Sequence, residues 1–478
     1  TDLGNVIKYA GALTVTDIAT SDKVAALTSY TTAETGATTN TLAADGTWSL
    51  AVGALTTALG DGVRLAGALT VTGITDEAAA LTDYTATTTG ATSVTLTANG
   101  AWSVAAADLA AALGDGVLLD GTLAVTSIAS GSETAALTAY TDALTGATSV
   151  TLTASDTNWS VAAATLDTAL AAAVRLNGDL TVIDIASDDE AGASTTYSKT
   201  ATGASNVMLT ASDGTWSVTA SALDTDLGND IKYSGALTIT GITDKTAALT
   251  DYTTTKTGAT TNTLTADGNW SLAVATLDTA LTAGVRLSGA LTVTGITSGS
   301  ETGALAAYTT AKTGATTNTL TAADDGAWSI AASDLTTALN AGVRLAGTLT
   351  VTSIASVNET AALTDFTEAK TGASMNILTA SDTNWLVAAT DLDTALTANV
   401  RLAGDLTVTG ISTETNASTT YSKANTGASS VTLTASDATW SIATGALDTD
   451  LNNDIKYAGS LTVTGIAAGN EDAALTKY

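Results

Sequence analysis

Residues 235–288 read GALTITGITDKTAALTDYTTTKTGATTNTLTADGNWSLAVATLDTALTAGVRLS, and this unit decides how the chain is organised. The same pattern recurs around eight Trp residues, whose spacings are 54, 57, 57, 54, 58, 57 and 55. The eight are Trp48, Trp102, Trp159, Trp216, Trp270, Trp328, Trp385 and Trp440. A fixed period indicates a repeat architecture, so we predict a tandem array of about eight modules of about 56 residues.

The glycine that begins each copy gives the predicted module boundaries. Residues 1–10 are the end of a preceding module, and residues 459–478 are the start of a ninth. The modules are 11–66, 67–120, 121–177, 178–234, 235–288, 289–346, 347–403 and 404–458. Residues 11–234 and 235–458 are two versions of one four-module block.

Alternating side chains predict several short strands in each module. Leu237 and Ile239 alternate with threonines, and the stretches around residues 261–266, 270–274 and 285–287 alternate in the same way. Asp267-Gly268 indicates a tight turn of the kind found in hairpins. The segment LDTAL, residues 277–281, predicts one helical turn.

These patterns predict an all-β array of short modules. A unit of about 56 residues that has no disulfide or metal is small for an independent core. Neighbours are therefore expected to complete one another. The stretch VRLSGALTVTGI crosses a module boundary with little interruption, which indicates that strands are shared between neighbours.

The Trp-centred half of the module resembles the bacterial Ig-like repeats of large surface adhesins. The matching positions are Asp267-Gly268, Trp270-Ser271-Leu272, Leu277, Leu281 and Gly284-Val285. The resemblance implies a β-sandwich, but such domains have about 100 residues and seven strands. These modules are shorter and contain no Pro. A shortened Ig-like sandwich and a sandwich built from two modules are therefore both kept as hypotheses.

Composition excludes several classes of function. The chain has no Cys and no His, so cysteine–histidine and serine–histidine catalysis and the usual zinc sites are absent. Acids outnumber bases 47 to 16, which disfavours binding to nucleic acid. No apolar run is long enough to span a bilayer. We therefore predict a protein that is not an enzyme.

The Trp series has two interpretations. Each Trp is the core anchor of its small module, or the series stacks on sugars. We favour the core, because burial of one large aromatic removes much apolar surface from water.

Acids that precede the Trp residues are candidate Ca²⁺ ligands, because calcium takes carboxylate oxygens. They are Asp45, Asp156, Asp213, Asp267, Asp325, Asp382 and Asp437. One acid per turn does not make a site, and Asx-turn chemistry explains the position without metal. We expect no required cofactor.

Half of the 16 basic residues recur at one position of the module. They are Arg64, Arg175, Arg286, Arg344 and Arg401, with Lys8, Lys232 and Lys456 in the corresponding place. Docking on acids of a neighbouring module or chain is one interpretation. A solvated cation that relieves repulsion between acids is the other.

The leading functional hypothesis is a structural region of an extracellular or cell-surface fibrous protein, such as a filament, stalk or sheath. An adhesin segment that binds glycans or host surfaces is an alternative, as is a subunit of an S-layer or a biofilm-matrix lattice. The expected partner is the protein itself or the continuation of a longer chain. Residues 1–10 of one copy are predicted to pack against residues 459–478 of another, end to end.

Overall fold

The chain folds into parallel β-sheets whose strands alternate with helices. The computed structural model describes residue 4, residues 7–323 and residues 326–478. About 36% of the chain is helical and 41% is in strands, and the sheets contain only parallel pairs. The prediction of an all-β array of Ig-like β-sandwiches is therefore wrong.

Two kinds of strand make up each repeat. The Trp strand contains the Trp, and the Gly strand crosses the glycine that begins a module. Trp strands are β2 (Thr39–Ala44) with β3 (Trp48–Ala51), β6 (Ser93–Ala98) with β7 (Trp102–Ala105), β10 (Ser149–Ala162), β12 (Asn206–Thr219), β14 (Thr261–Ala266) with β15 (Trp270–Ala273), β18 (Thr317–Ala322) with β19 (Ala327–Ala331), β22 (Met375–Ala388) and β24 (Ser430–Ala443).

The Gly strands likewise run either in two halves or without a break. They are β1 (Ala12–Ile18), β4 (Val63–Ala66) with β5 (Ala68–Ile74), β8 (Val117–Asp120) with β9 (Thr122–Ile128), β11 (Val174–Ile185), β13 (Ile231–Ile242), β16 (Val285–Ser288) with β17 (Ala290–Ile296), β20 (Val343–Ala346) with β21 (Thr348–Ile354), β23 (Val400–Ile411) and β25 (Ile455–Thr464). Strand β23 crosses the boundary between residues 403 and 404.

A nine-residue helix leads from each Trp strand to the next Gly strand. These helices are α3 (Val52–Gly60), α6 (Ala106–Gly114), α9 (Ala163–Ala171), α12 (Ala220–Gly228), α15 (Val274–Thr282), α18 (Ala332–Asn340), α21 (Ala389–Thr397) and α24 (Thr444–Asn452). The segment LDTAL was predicted to form one turn. It lies in α15, whose Leu277 and Ala280 are buried one helical turn apart.

Shorter helices lead from each Gly strand to the next Trp strand, and the sequence patterns missed them. The first of each pair is α1 (Lys23–Ser29), α4 (Glu77–Asp83), α7 (Glu133–Ala139), α10 (Glu190–Thr196), α13 (Lys245–Asp251), α16 (Glu301–Ala307), α19 (Glu359–Asp365), α22 (Ala417–Thr420) and α25 (Glu471–Lys477). The second is α2 (Thr32–Thr35), α5 (Ala86–Thr89), α8 (Asp142–Thr145), α11 (Lys199–Thr202), α14 (Thr254–Thr257), α17 (Thr310–Thr313), α20 (Glu368–Thr371) and α23 (Lys423–Thr426). Single 3₁₀ turns precede α1 and α19, at Thr20–Asp22 and Ser356–Asn358.

The strands pair in a staggered order. Trp102 of β7 lies opposite Leu123 of β9, and Leu123 lies opposite Val150 of β10 on its other side. Val150 in turn lies opposite Val174 of β11. The second half of a Gly strand thus lies between the second half of one Trp strand and the first half of the next. Strands β11 and β23 run across a module boundary without a break, and each pairs with the Trp strand before it and the Trp strand after it.

Two compact units are distinguished, and each repeats this arrangement. One contains residues 1–237 and 256–260, and the other contains residues 238–255 and 261–478. In the first, the sheets include β1-β2-β4, β3-β5-β6-β8 and the run β7-β9-β10-β11-β12. In the second they include β14-β16, β15-β17-β18-β20 and β19-β21-β22-β23-β24-β25.

The predicted hairpin turn is a bend within one strand. Gly268 has a φ of +72°, as a tight turn requires, but the flanking strands β14 and β15 do not pair with each other. In β22 the same place holds Thr383 at φ +60°, and the strand continues through it as a bulge. In both forms, the first half of the Trp strand pairs with the first half of the Gly strand and the second half with the second half. The register of pairing shifts between the two halves.

Candidate functional site: strand edges and module joints

All eight Trp side chains are buried and occupy equivalent places, between 0 and 2% exposed. Each Nε1 donates a hydrogen bond of 2.9–3.1 Å to the backbone carbonyl 18 residues later. That carbonyl belongs to the residue just before the glycine of the Gly strand, where the ladder changes register. The Trp therefore supplies a donor that the ladder does not. Its ring is not accessible for stacking on a sugar.

Glycine is required where the two strands bend past each other. Gly178 has a φ of +117°, and a Cβ there would lie 2.2 Å from the carbonyl oxygen of Thr157. Gly404 has the same relation to Thr383, at 2.3 Å. A side chain cannot be accommodated at this approach of two backbones.

The recurrent arginines bind the end of the preceding helix. The Nη1 of Arg286 donates to the carbonyls of Leu281 and Val285, at 3.3 and 2.9 Å. Arg64, Arg175, Arg344 and Arg401 make the equivalent two bonds. A cation at the carboxyl end of a helix is favourable because that end carries partial negative charge.

The same residues also meet the next module, through their Cβ atoms. A Cβ on Gly314 would lie 2.9 Å from the Cβ of Arg286 and 3.2 Å from the carbonyl oxygen of Leu287. Lys8 and Lys232 stand in the same relation to Gly36 and Gly258. The Nζ of Lys8 donates to the carbonyls of Ala33, at 3.0 Å, and Glu34. Lys456 lies two residues after Asp454. The pKa of Asp454 is lowered chiefly by its hydrogen bond with Lys423, and the charge of Lys456 adds to this effect.

In the described part of the chain, two kinds of strand edge lack a neighbouring strand, and other groups cover them in several modules. The first half of the Gly strand is covered by the four-residue helix of the next module and the glycine after it. For example, the N–H of Tyr9, just before β1, donates to the carbonyl of Thr35 at the end of α2, at 2.8 Å. In four modules, the first residue of the seven-residue helix covers the second half of the Trp strand. The Nζ of Lys245 donates to the Asn269 carbonyl at 2.8 Å. Glu359 accepts from the N–H of Leu386 at 3.1 Å.

Such covered edges prevent uncontrolled strand pairing. Lys23 acts like Lys245 and donates to the carbonyl of Thr47. Glu77 and Glu414 act like Glu359: they accept from the backbone N–H groups of Ser103 and Ser441. The sequence analysis missed these residues. Their signal is a charged side chain at or just before the start of the first of the two helices that precede the Trp strand.

Tyrosines link the helices of consecutive modules. The hydroxyl of Tyr308 donates to Asp278 of α15 at 2.8 Å, and Tyr84 bonds Thr56 of α3 at 2.6 Å. Phe366 occupies the corresponding position in the seventh module. Tyr233 represents a second type of tyrosine. Its ring packs edge to face against Trp216, with ring centroids 4.9 Å apart, and its hydroxyl donates a hydrogen bond to the carboxylate of Asp226.

Four of the candidate calcium ligands form turns. Asp156, Asp213, Asp382 and Asp437 each accept a bond of 2.8–3.1 Å from the backbone N–H two residues on. The pKa values of Asp213 and Asp437 are lowered chiefly by these bonds. Asp45 donates its backbone N–H to Ile18, and Asp325 lies outside the described residues. Within the described part of the chain, no three acids come together as a metal site would need.

Among the helices described here, none has the length and apolar character that crossing a membrane requires. The described residues form a set of repeated joints. No family model matches the chain, and no curated protein or solved structure is significantly similar to it.

Proposed function

We propose that this chain is a structural repeat region of an extracellular fibrous protein, such as a surface filament, stalk or sheath, whose modules continue end to end. The observation that carries this proposal is the recurrence of one joint. All eight Trp residues make the same bond, and the glycine that begins each of the eight full modules accepts a bond of 2.7–2.9 Å from the turn before the next Trp strand. A recognition protein would be expected to carry at least one divergent module.

The dependence of each module on its neighbours supports an array of modules along the chain. A module leaves its outer strands and apolar faces to be covered by the modules before and after it, as in other repeat proteins. A formal charge of −31 suits such a polymer, because self-repulsion keeps it dispersed in water.

Electron micrographs of the purified full chain, with sedimentation velocity over a range of concentrations, test the fibrous role. We expect extended particles or filaments. Compact particles at all concentrations would refute the proposal. Two-dimensional sheets would favour the lattice alternative, and selective capture on a glycan array would favour the adhesin alternative.

Location needs its own measurement. We expect antibodies against the chain to label intact cells of the organism that makes it. Labelling that requires permeabilised cells would contradict an extracellular role.

A further inference from the structure

The joint between the sixth and seventh modules differs from other joints in how its helices meet. At several joints a tyrosine hydroxyl links the seven-residue helix to the nine-residue helix of the preceding module, as when Tyr140 donates to the carbonyl of Ala106 at 2.9 Å. Phe366 takes the place of this tyrosine after α19 and has no hydroxyl to offer α18. Two hollows, of about 370 and 460 Å³, lie between the two helices, and Thr336, Asp365 and Phe366 line both. We call the two hollows together the Phe366 groove.

The Phe366 groove lacks an acid that recurs at other joints, and it carries two cations. Thr336 is the fifth residue of α18, and four other nine-residue helices have an acid at this position: Asp167, Asp224, Asp278 and Asp393. Arg344, Lys370 and Asp365 are the charged residues that line the smaller hollow. The Nζ of Lys370 lies 3.0 Å from the Asp365 carboxylate, so the two charges offset each other and the lining as a whole is positive.

The backbone holds the guanidinium of Arg344 in a fixed position. Its Nη1 donates to the carbonyls of Leu339 and Val343, at 3.2 and 2.8 Å. A guanidinium is planar and has five N–H donors, so bonds at one nitrogen also fix the direction of the other donors. Carboxylates suit such a group, because the hydrogen bonds between them are assisted by charge.

The rest of the lining offers hydrogen-bonding groups beside apolar ones. Thr336, Asn340 and Asn358 have exposed side chains, whereas Ala362 and Phe366 are buried apolar residues. A sugar ring presents hydroxyl groups at its rim and C–H groups on its faces. It can therefore use both kinds of surface, as ligands do in sites that combine apolar walls with a few polar groups.

We propose that the Phe366 groove binds an acidic carbohydrate, with the carboxylate of a uronic acid between Arg344 and Lys370 and its hydroxyl groups on side chains such as Thr336. The inference goes beyond the proposed fibrous role and does not rest on it. The strands of this joint keep the common form, since the N–H of Ser374 donates to Gly347 at 2.8 Å. A structural array can therefore carry one binding joint without losing its continuity.

Isothermal titration calorimetry of the full chain with tetragalacturonate tests the proposal. The buffer contains about 0.15 M salt, so that repulsion from distant acids is largely screened. We expect a Kd of about 1 mM or tighter. Maltotetraose, a neutral sugar of the same length, should bind at least about tenfold more weakly, because it has no carboxylate for the two cations.

Two variants and a matched control locate the site, with circular dichroism to confirm that each is folded. Phe366→Tyr should weaken binding at least about fivefold, because its hydroxyl would bond Thr336 across the groove as a tyrosine does at other joints. Lys370→Glu should weaken binding at least about fivefold by reversing one charge of the lining. Lys312→Glu changes the same position of α17 and should leave the Kd within about twofold, because the charge is then at another joint.

Either of two results with the unchanged chain would overturn the inference: no binding at a tetragalacturonate concentration of about 10 mM, or equally tight binding of maltotetraose. Among the variants, wild-type affinity in Phe366→Tyr would overturn it, as would equal losses in Lys312→Glu and Lys370→Glu. None of these results bears on whether micrographs show a fibrous particle.

Discussion

At the scale of single residues, the Trp of each module combines two roles that no other apolar residue can supply together. Its ring fills the small core, and its N–H satisfies a carbonyl where the ladder changes register. A buried carbonyl without a partner costs about 1–3 kcal/mol, so phenylalanine would be a poor replacement. The recurrence of Trp at this position therefore has a local cause that requires no ligand.

Phe366 provides a test of the tyrosine links. It faces Thr336 of α18 across a groove of about 460 Å³, where Tyr84 bonds the equivalent Thr56. We expect Phe366→Tyr to raise the free energy of unfolding by about 1 kcal/mol through a new hydrogen bond, and Tyr84→Phe to lower it by about as much. Urea unfolding, with hydrogen exchange to locate the change, measures both. Unchanged stability in both variants would contradict the assignment.

Two tyrosines, the buried Tyr233 and the half-buried Tyr457, predict a loss of stability at high pH. Burial, followed by the bond to Asp226, raises the pKa of Tyr233, and burial likewise raises the pKa of Tyr457. The unfolded chain loses these protons from about pH 10, while the folded chain keeps them to higher pH. The stabilisation is therefore complete below pH 10 and declines above it, by about 1.4 kcal/mol per pH unit for each tyrosine.

Unfolding free energies measured between pH 7 and 12 test this expectation. Tyr233→Phe also leaves buried Asp226 without its donor, so it lowers stability at every pH. The diagnostic effect of Tyr233→Phe is that the free energy of unfolding declines less steeply with pH above pH 10, while its dependence on pH below pH 9 is unchanged. A decline as steep as that of the wild type would contradict the assignment.

At the scale of elements, the short helix and glycine that close the edge of the Gly strand are the most constrained part of the module. The glycine must adopt a positive φ and must also approach the backbone of the preceding module. A longer side chain would separate the helix from the edge that it covers. This close approach explains why a four-residue helix, too short to be stable alone, persists in every module.

Gly314→Ala and Gly299→Ala separate these two requirements. Gly314 has a φ of +82° and no room for a Cβ, whereas Gly299 has a φ of +87° and open space around it. We expect Gly299→Ala to cost about 1 kcal/mol from backbone strain, and Gly314→Ala to cost at least about 1 kcal/mol more from crowding. Denaturant unfolding of both variants measures the difference. Equal costs would show that the edge tolerates a side chain.

At the scale of the whole molecule, the charge is spread over repeated turns and helices. Four of the acids before the Trp residues, Asp156, Asp213, Asp382 and Asp437, accept hydrogen bonds within their own turns. Their carboxylates do not converge anywhere in residues 7–323 or 326–478. We therefore expect the acids to act through their summed charge and not through a bound metal.

Chelation tests this conclusion. A metal that bound only the folded chain would raise its melting temperature, so its removal would lower it. We expect EDTA to leave the melting temperature unchanged within a few degrees, whereas added NaCl should raise it by screening repulsion among acids. The control matches ionic strength in both samples. A drop of many degrees in EDTA alone would establish a metal site.

The sequence by itself determined the repeat, its period and the segments that are extended. The Trp spacing requires one unit to recur eight times. Alternation of Leu, Ile and Val with Thr locates strands such as β17, because such side chains suit a sheet with one buried face. These properties depend on neighbours within a few residues, so local pattern suffices to predict them.

Tertiary structure alone decided the direction of the strands and the role of the segments between them. Alternation is the same in parallel and antiparallel sheets, and the pairing partners are 21–27 residues apart. Asp267-Gly268 is compatible with a hairpin or with a bend in one strand. Helices such as α13 and α14 are too short and too rich in Ala and Thr to show a clear helical period. They form because packing on a parallel sheet stabilises turns that the local sequence alone would not.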